Sequence, residues 1–134
     1  MIFLLAFLLE SAAPNAVVQQ RVTADPELDR CLAVDDPASA ADPVSHIVAC
    51  YGTAQTRADA ALAAGYAKLR TTYAGKAELL AGLDEGEKAF DAYRASWCKV
   101  DQAAEDEPRM VEATAMMCRL ELTRYQIYRI DSVG

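Results

Sequence analysis

The sequence predicts an all-α fold, a small antiparallel helical bundle with two disulfides, and three observations carry that expectation. Apolar residues recur four and three apart along three separate stretches, the spacing of one helix face. No stretch alternates apolar and polar residues for long enough to make a strand. Four cysteines follow an apolar N-terminal run, the pattern of an exported chain braced by disulfides.

The N-terminal run comes first. Ile2 to Leu9 is unbroken and apolar, and small residues follow at Ser11, Ala12, Ala13 and Ala16. These residues read as an export signal, residues 1–16, which leaves 17–134 as a single helical domain. Eight apolar residues are too few to cross a bilayer, which needs about 20. A helix packed on the core is the competing reading of the run. No Lys or Arg precedes it, and no Cys in it could carry a lipid. The mature chain is therefore expected to be soluble, without a membrane span, and periplasmic or secreted.

Residues 17 to 41 are polar and broken by Pro26 and Pro37. A short helix from Glu27 to Val34 is expected, with Asp25 as cap and Pro26 at its first position. Asp42-Pro43 repeats that signal and should open a helix through Cys50. A turn near Gly52, with Thr53 as the next cap, should end it. Leu62, Tyr66, Leu69 and Tyr73 then share one face, and Gly75 marks a turn. The strongest stripe is Leu79, Leu83, Gly86, Phe90, Tyr93, Trp97 and Val100, which predicts a helix with Phe90, Tyr93 and Trp97 in the core. Gly86 on that stripe would allow a close helix approach. Asp101 to Arg109 reads as an acidic loop ended by Pro108. Val111, Ala115, Cys118, Leu122 and Tyr125 predict the last helix. Three amphipathic helices with short connections pack up and down.

Length and charge narrow the function. With 134 residues there is room for one domain. The net charge of −7 comes without a basic stripe, which argues against nucleic acid as partner. The acidic group Asp101, Glu105, Asp106 and Glu107 could attract a basic partner, although such runs are more often solvated loops. A zinc site is a poor reading of Cys31, Cys50, Cys98 and Cys118. No two are two to four apart, and His46 is the single histidine. The expected metal and cofactor are none. His46 has no nucleophile motif beside it, no Gly-rich phosphate loop is present, and the neighbouring carboxylates read as solvated. The chain does not read as an enzyme.

The informative group is Phe90, Tyr93, Arg94 and Cys98, followed by Cys118, Leu122 and Thr123. It places an aromatic stripe beside one Cys and brings a second Cys on the next helix. A bridge between them needs Cα atoms within about 7 Å. Four Cys allow three connectivities. Arg94 beside that seam reads as a capping or ion-pairing residue.

Here the chain resembles the LprI-like lysozyme-inhibitor domains of exported bacterial proteins. Those domains carry an aromatic, an aromatic-Arg pair three on, and Cys four beyond the Arg. Phe90, Tyr93, Arg94 and Cys98 follow that pattern, with Phe90 where Trp is usual. Leu62, Tyr66 and Leu69 match a second element, in which Ala63 replaces Asn. Cys118, Leu122 and Thr123 match the closing element. The Arg usual three after the Thr is Gln126, and the acidic residue usual after the motif Arg is Ala95. The resemblance covers about residues 30 to 130.

It implies an envelope-facing helical domain that, in some members, inhibits lysozyme. Family pattern and proximity together point to the pairs Cys31–Cys50 and Cys98–Cys118. Lysozymes are commonly basic, so an acidic chain would be steered toward one at low salt. The expected partner is thus a lysozyme or other basic protein. Asp101, Glu105, Asp106 and Glu107 would attract it, and Lys99 and Arg109 would be donors within reach of its cleft. The rival reading is a non-enzymatic periplasmic interaction domain with another partner.

Overall fold

The computed structural model describes residues 22–134. The export signal expected at residues 1–16 lies outside them. Five helices are complete within the described residues: α1 (Pro26–Leu32), α2 (Pro37–Ala41), α3 (Pro43–Thr72), α4 (Ala77–Ala104) and α5 (Val111–Asp131). No strand is found among these residues. The fold is an all-α bundle, as the sequence predicts.

The first three helices begin alike. Asp25, Asp36 and Asp42 each cap a helix whose first residue is proline, with carboxylates accepting from Leu28 N (2.9 Å), Ser39 N (2.8 Å) and Ser45 N (3.1 Å). The sequence reading found the first and third of these starts. Helix α2 lies in the stretch expected only to be polar and broken by prolines, and Asp36-Pro37 carries the same signal.

Helix α3 is continuous over 30 residues, which corrects the expected break near Gly52. That glycine serves a close approach instead. A Cβ there would stand 3.3 Å from the Met116 side chain of α5. Thr53, expected as a cap, donates its hydroxyl back to Ala49 O within the helix (3.2 Å). The real break is at Gly75, whose φ of 81° is the left-handed conformation that favours glycine. Helix α4 runs on to Ala104, so Asp101 is helical and the acidic loop is shorter than expected.

Helix α5 lies between α3 and α4, parallel to α3 and antiparallel to α4. Two clusters fill the α3–α5 seam. One joins Leu28, Cys50, Ala54, Ala58 and Leu120; the other joins Leu62, Tyr66, Leu69 and Ile130. Small residues on α3 permit the approach, and a Cβ at Gly65 would meet Ile130 at 3.1 Å. Because α5 is flanked on both sides, it buries Ala113, Leu120 and Ile130 as well as Cys118. A single expected stripe could not capture two buried faces.

Helix α4 corrects the sequence reading most. Leu83 and Phe90 pack against the second cluster, and Cys98 is buried at 3% exposure. Tyr93 and Trp97, expected in the core, are 52% and 50% exposed, and Leu79 and Val100 also face solvent. The buried side of the helix runs through Leu83, Phe90, Arg94 and Cys98, rotated from the apolar stripe. Among the described residues nothing lies within 4 Å of a Cβ built on Gly86, so the expected close helix approach does not occur there.

Candidate functional site

Both disulfides join helices at the places the family pattern indicates. Cys31–Cys50 ties α1 to α3 with Cα atoms 5.7 Å apart, and Cys98–Cys118 ties α4 to α5 at 5.6 Å. Loops of 19 and 20 residues restrain the unfolded chain by roughly 3 kcal/mol each. His46 packs on the first bridge. Its Nε2 is 2.9 Å from Cys31 O and 3.6 Å from Cys50 Sγ, and its Nδ1 is 3.3 Å from Ser39 Oγ. Cys31, His46 and Cys50 bring possible metal-ligand atoms within 4.8 Å of one another. Both sulfurs are committed to the S–S bond, so the group is a histidine seated on a disulfide.

The motif residues Arg94 and Thr123 meet where α3, α4 and α5 converge. Arg94 donates to Asp59 (3.0 Å), to Asp91 (3.3 Å) and to the Thr123 hydroxyl (2.8 Å). Thr123, fully buried, donates in turn to Arg119 O (2.7 Å). Gln55 Nε2 donates to Asp59 (2.8 Å) and to Thr123 Oγ1 (3.2 Å). The Arg94 guanidinium also lies 5.3 Å from the centre of the Phe90 ring. Arg94 is therefore an ion-pairing residue that fastens three helices. Ala95, where the family usually has an acid, lines a shallow cleft with Gln55, Asp59, Asp91, Arg94 and Arg119.

A turn of helix away, Gln126 stands where Arg is usual. Its amide donates to the Tyr66 hydroxyl at 2.9 Å, so the substitution keeps a donor against the motif tyrosine. Burial pushes the Tyr66 phenol above its ordinary pKa, and this hydrogen bond offsets part of the rise.

Asp25 makes a second fastening that the sequence reading saw only as a cap. Its carboxylate also takes Arg57 (2.9 Å) from α3 and Arg124 from α5. Burial pushes the carboxyl up, but the Leu28 N–H, Arg124 and Arg57 outweigh it and hold the pKa below its ordinary value. Arg57 and Arg124 follow no stripe, and nothing local in the sequence marks them.

The expected partner-binding residues gather at one end of the bundle, where α4 ends and α3 and α5 begin. Glu105 is already engaged: its carboxylate accepts from Thr114 Oγ1 (2.6 Å) and from Glu107 N (2.9 Å). The Thr114 hydroxyl and the Glu107 N–H hold Glu105 below its ordinary pKa. Ser45 does the same for Asp42, with the charge of Arg109 adding to it. Lys99, Asp106, Glu107 and Arg109 are exposed, and Asp101 is half-buried.

Such a bundle, with no helix among the described residues long and apolar enough to cross a membrane, defines a disulfide-braced helical domain. The family described as "Lysozyme inhibitor LprI" matches residues 35–130, most of the chain, and the chain belongs to that family. No curated protein and no solved structure matches it.

Proposed function

We propose that this chain is an exported envelope protein that binds and blocks a lysozyme-type cell-wall hydrolase. The observation that carries the reading is family membership across residues 35–130. On this reading residues 1–16 are removed on export, residues 17–134 form a single domain, and the protein acts by binding rather than by catalysis. The charge of −7 suits a basic partner. Asp101, Asp106 and Glu107 supply long-range attraction at the loop end of the bundle, while Glu105 holds the loop in shape through Thr114. A lysozyme cleft works through two carboxylates, so the group that enters it should be a donor. Lys99 and Arg109 are the donors on either side of that loop.

The test is residual cell-wall hydrolysis by a basic lysozyme titrated with the pure protein, together with rates of association and dissociation. Neutralising Asp101, Asp106 and Glu107 should slow association at low salt and matter little near 1 M, where the Debye length is about 3 Å. Replacing Lys99 or Arg109 should raise the dissociation rate. A parent protein that neither binds nor inhibits ends the reading for that enzyme.

A further inference from the structure

Helix α4 has an outer face that no other described residue covers fully. Leu79, Tyr93, Trp97 and Val100 lie on it at about half exposure, and Gly82 and Gly86 lie between them. All six fall in one strip at 100° per residue, and the nearest charged positions, Glu78 and Asp101, flank it. Tyr93 and Trp97 are stacked, with ring centres 6.3 Å apart and planes 22° from parallel. A Cβ on either glycine would meet nothing within 4 Å. Mid-helix glycine weakens a helix, and no contact among the described residues offsets this at either position.

The order of these residues is the informative part. Leu79, Gly82 and Gly86 stand as far before the point between Ala89 and Phe90 as Val100, Trp97 and Tyr93 stand after it. A two-fold axis at that point, across two antiparallel copies of α4, would set Leu79 on Val100, Gly82 on Trp97 and Gly86 on Tyr93. Each aromatic ring then faces a glycine, Leu79 meets Val100, and each contact occurs twice, as an isologous interface requires. We propose that this protein forms a reversible homodimer through the outer faces of α4, with Tyr93 and Trp97 of each copy seated on Gly86 and Gly82 of the other.

The size of the strip sets the strength. The 22 residues from Leu79 to Val100 span about 33 Å, and at about 10 Å wide the strip offers roughly 330 Å² on each copy. The sum falls at the low end of specific interfaces, below about 1,200 Å². Association is therefore weak and concentration-dependent. The inference concerns the protein alone and stands apart from lysozyme binding.

Sedimentation of the whole exported chain across a wide concentration range tests it, with Trp97 emission recorded in parallel. Trp97 is the single tryptophan of the chain, so its emission reports this face directly. The expected result is a monomer–dimer equilibrium in the micromolar range, with the emission shifting to the blue as dimer forms. Gly86→Arg should abolish association while melting no lower than the parent at a dilution where both are monomeric. Gly86→Tyr and Tyr93→Gly should each weaken it at least tenfold, and the double variant should restore it, because the exchange keeps large opposite small. A parent that stays monomeric with unchanged emission overturns the proposal. So does a Gly86→Arg chain that still dimerises. Emission that shifts only when a basic lysozyme is added would assign the face to that partner instead.

Discussion

The α3–α5 seam and the outer face of α4 both carry apolar residues at helical spacing, yet one is core and the other faces solvent. Apart from the buried ring of Tyr66, the seam is built from modest side chains: Ala54, Ala58 and Leu62 on α3 against Leu120 and Ile130 on α5. The outer face of α4 carries the larger Tyr93 and Trp97 at half exposure. Small residues let two backbones approach, and the approach itself excludes water. Large side chains cannot do so on a helix that faces no other described element on that side. Bulk and hydrophobicity mark a candidate core; a facing partner makes it one.

The sharpest way to break this contrast is inside the seam. Leu120 is 1% exposed between Cys50, Ala54 and Ala58. Leu120→Ala should cost about 2–5 kcal/mol, because the close-packed helices cannot collapse into the space left. Urea unfolding followed by circular dichroism measures it. A loss under about 1 kcal/mol would mean that the seam is loosely packed.

Next comes the bond that holds α4. Its inner face offers Leu83, Phe90 and a set of ion pairs, with Cys98 as its only residue in the most buried class. The Cys98–Cys118 bridge is thus a larger share of its attachment than Cys31–Cys50 is for α3. Cys98→Ala with Cys118→Ala should cost about 3 kcal/mol. Hydrogen exchange should rise first in α4 while α3 and α5 stay protected. Uniform loss of protection would show instead that the three long helices open together.

How much of this was legible follows from the same contrast. Helix starts were readable because the Asp-Pro signal is local, as at Asp25-Pro26 and Asp42-Pro43. The disulfide pairs were readable through the family pattern around Cys98 and Cys118. Which side of α4 turns inward was not, since the apolar stripe and the buried side share only Leu83 and Phe90. The inward position of Arg94 depends on Asp59 and Thr123, 35 and 29 residues away in sequence. Gly52 misled for a related reason: in a helix, glycine serves a close neighbour as readily as it serves a turn.

A smaller effect should come from the fastening at Asp25. Its folded pKa is held below the ordinary 3.8. The carboxylate therefore adds stability that is present above 3.8 and is lost as pH falls through the folded value. Asp25→Asn keeps a good cap and removes the charge facing Arg57 and Arg124. It should cost about 1–2 kcal/mol near neutral pH. The gap between parent and variant should close as the solution is taken below 3.8. Glu105 and Asp42 are also held low, so the variant still shows some acid sensitivity. A constant gap down to low pH would show that the charge of Asp25 is not what fastens α1.

The smallest change should come from Trp97→Ala, although a buried tryptophan would cost about 3–5 kcal/mol. Half of Trp97 is already in water, and its ring rests on Tyr93 one turn away rather than in a cluster. Truncation gives up that ring contact, worth about 0.5–1.5 kcal/mol. Part of this returns through the better helix propensity of alanine. The net should be below about 1 kcal/mol, close to what surface positions usually show. The measurement belongs at a dilution where the chain is monomeric, with the helical signal as readout because the variant has no tryptophan. At higher concentration the parent should gain stability by association, and the variant should not. A loss of several kcal/mol at high dilution would place Trp97 inside the monomer and remove the difference between the two faces.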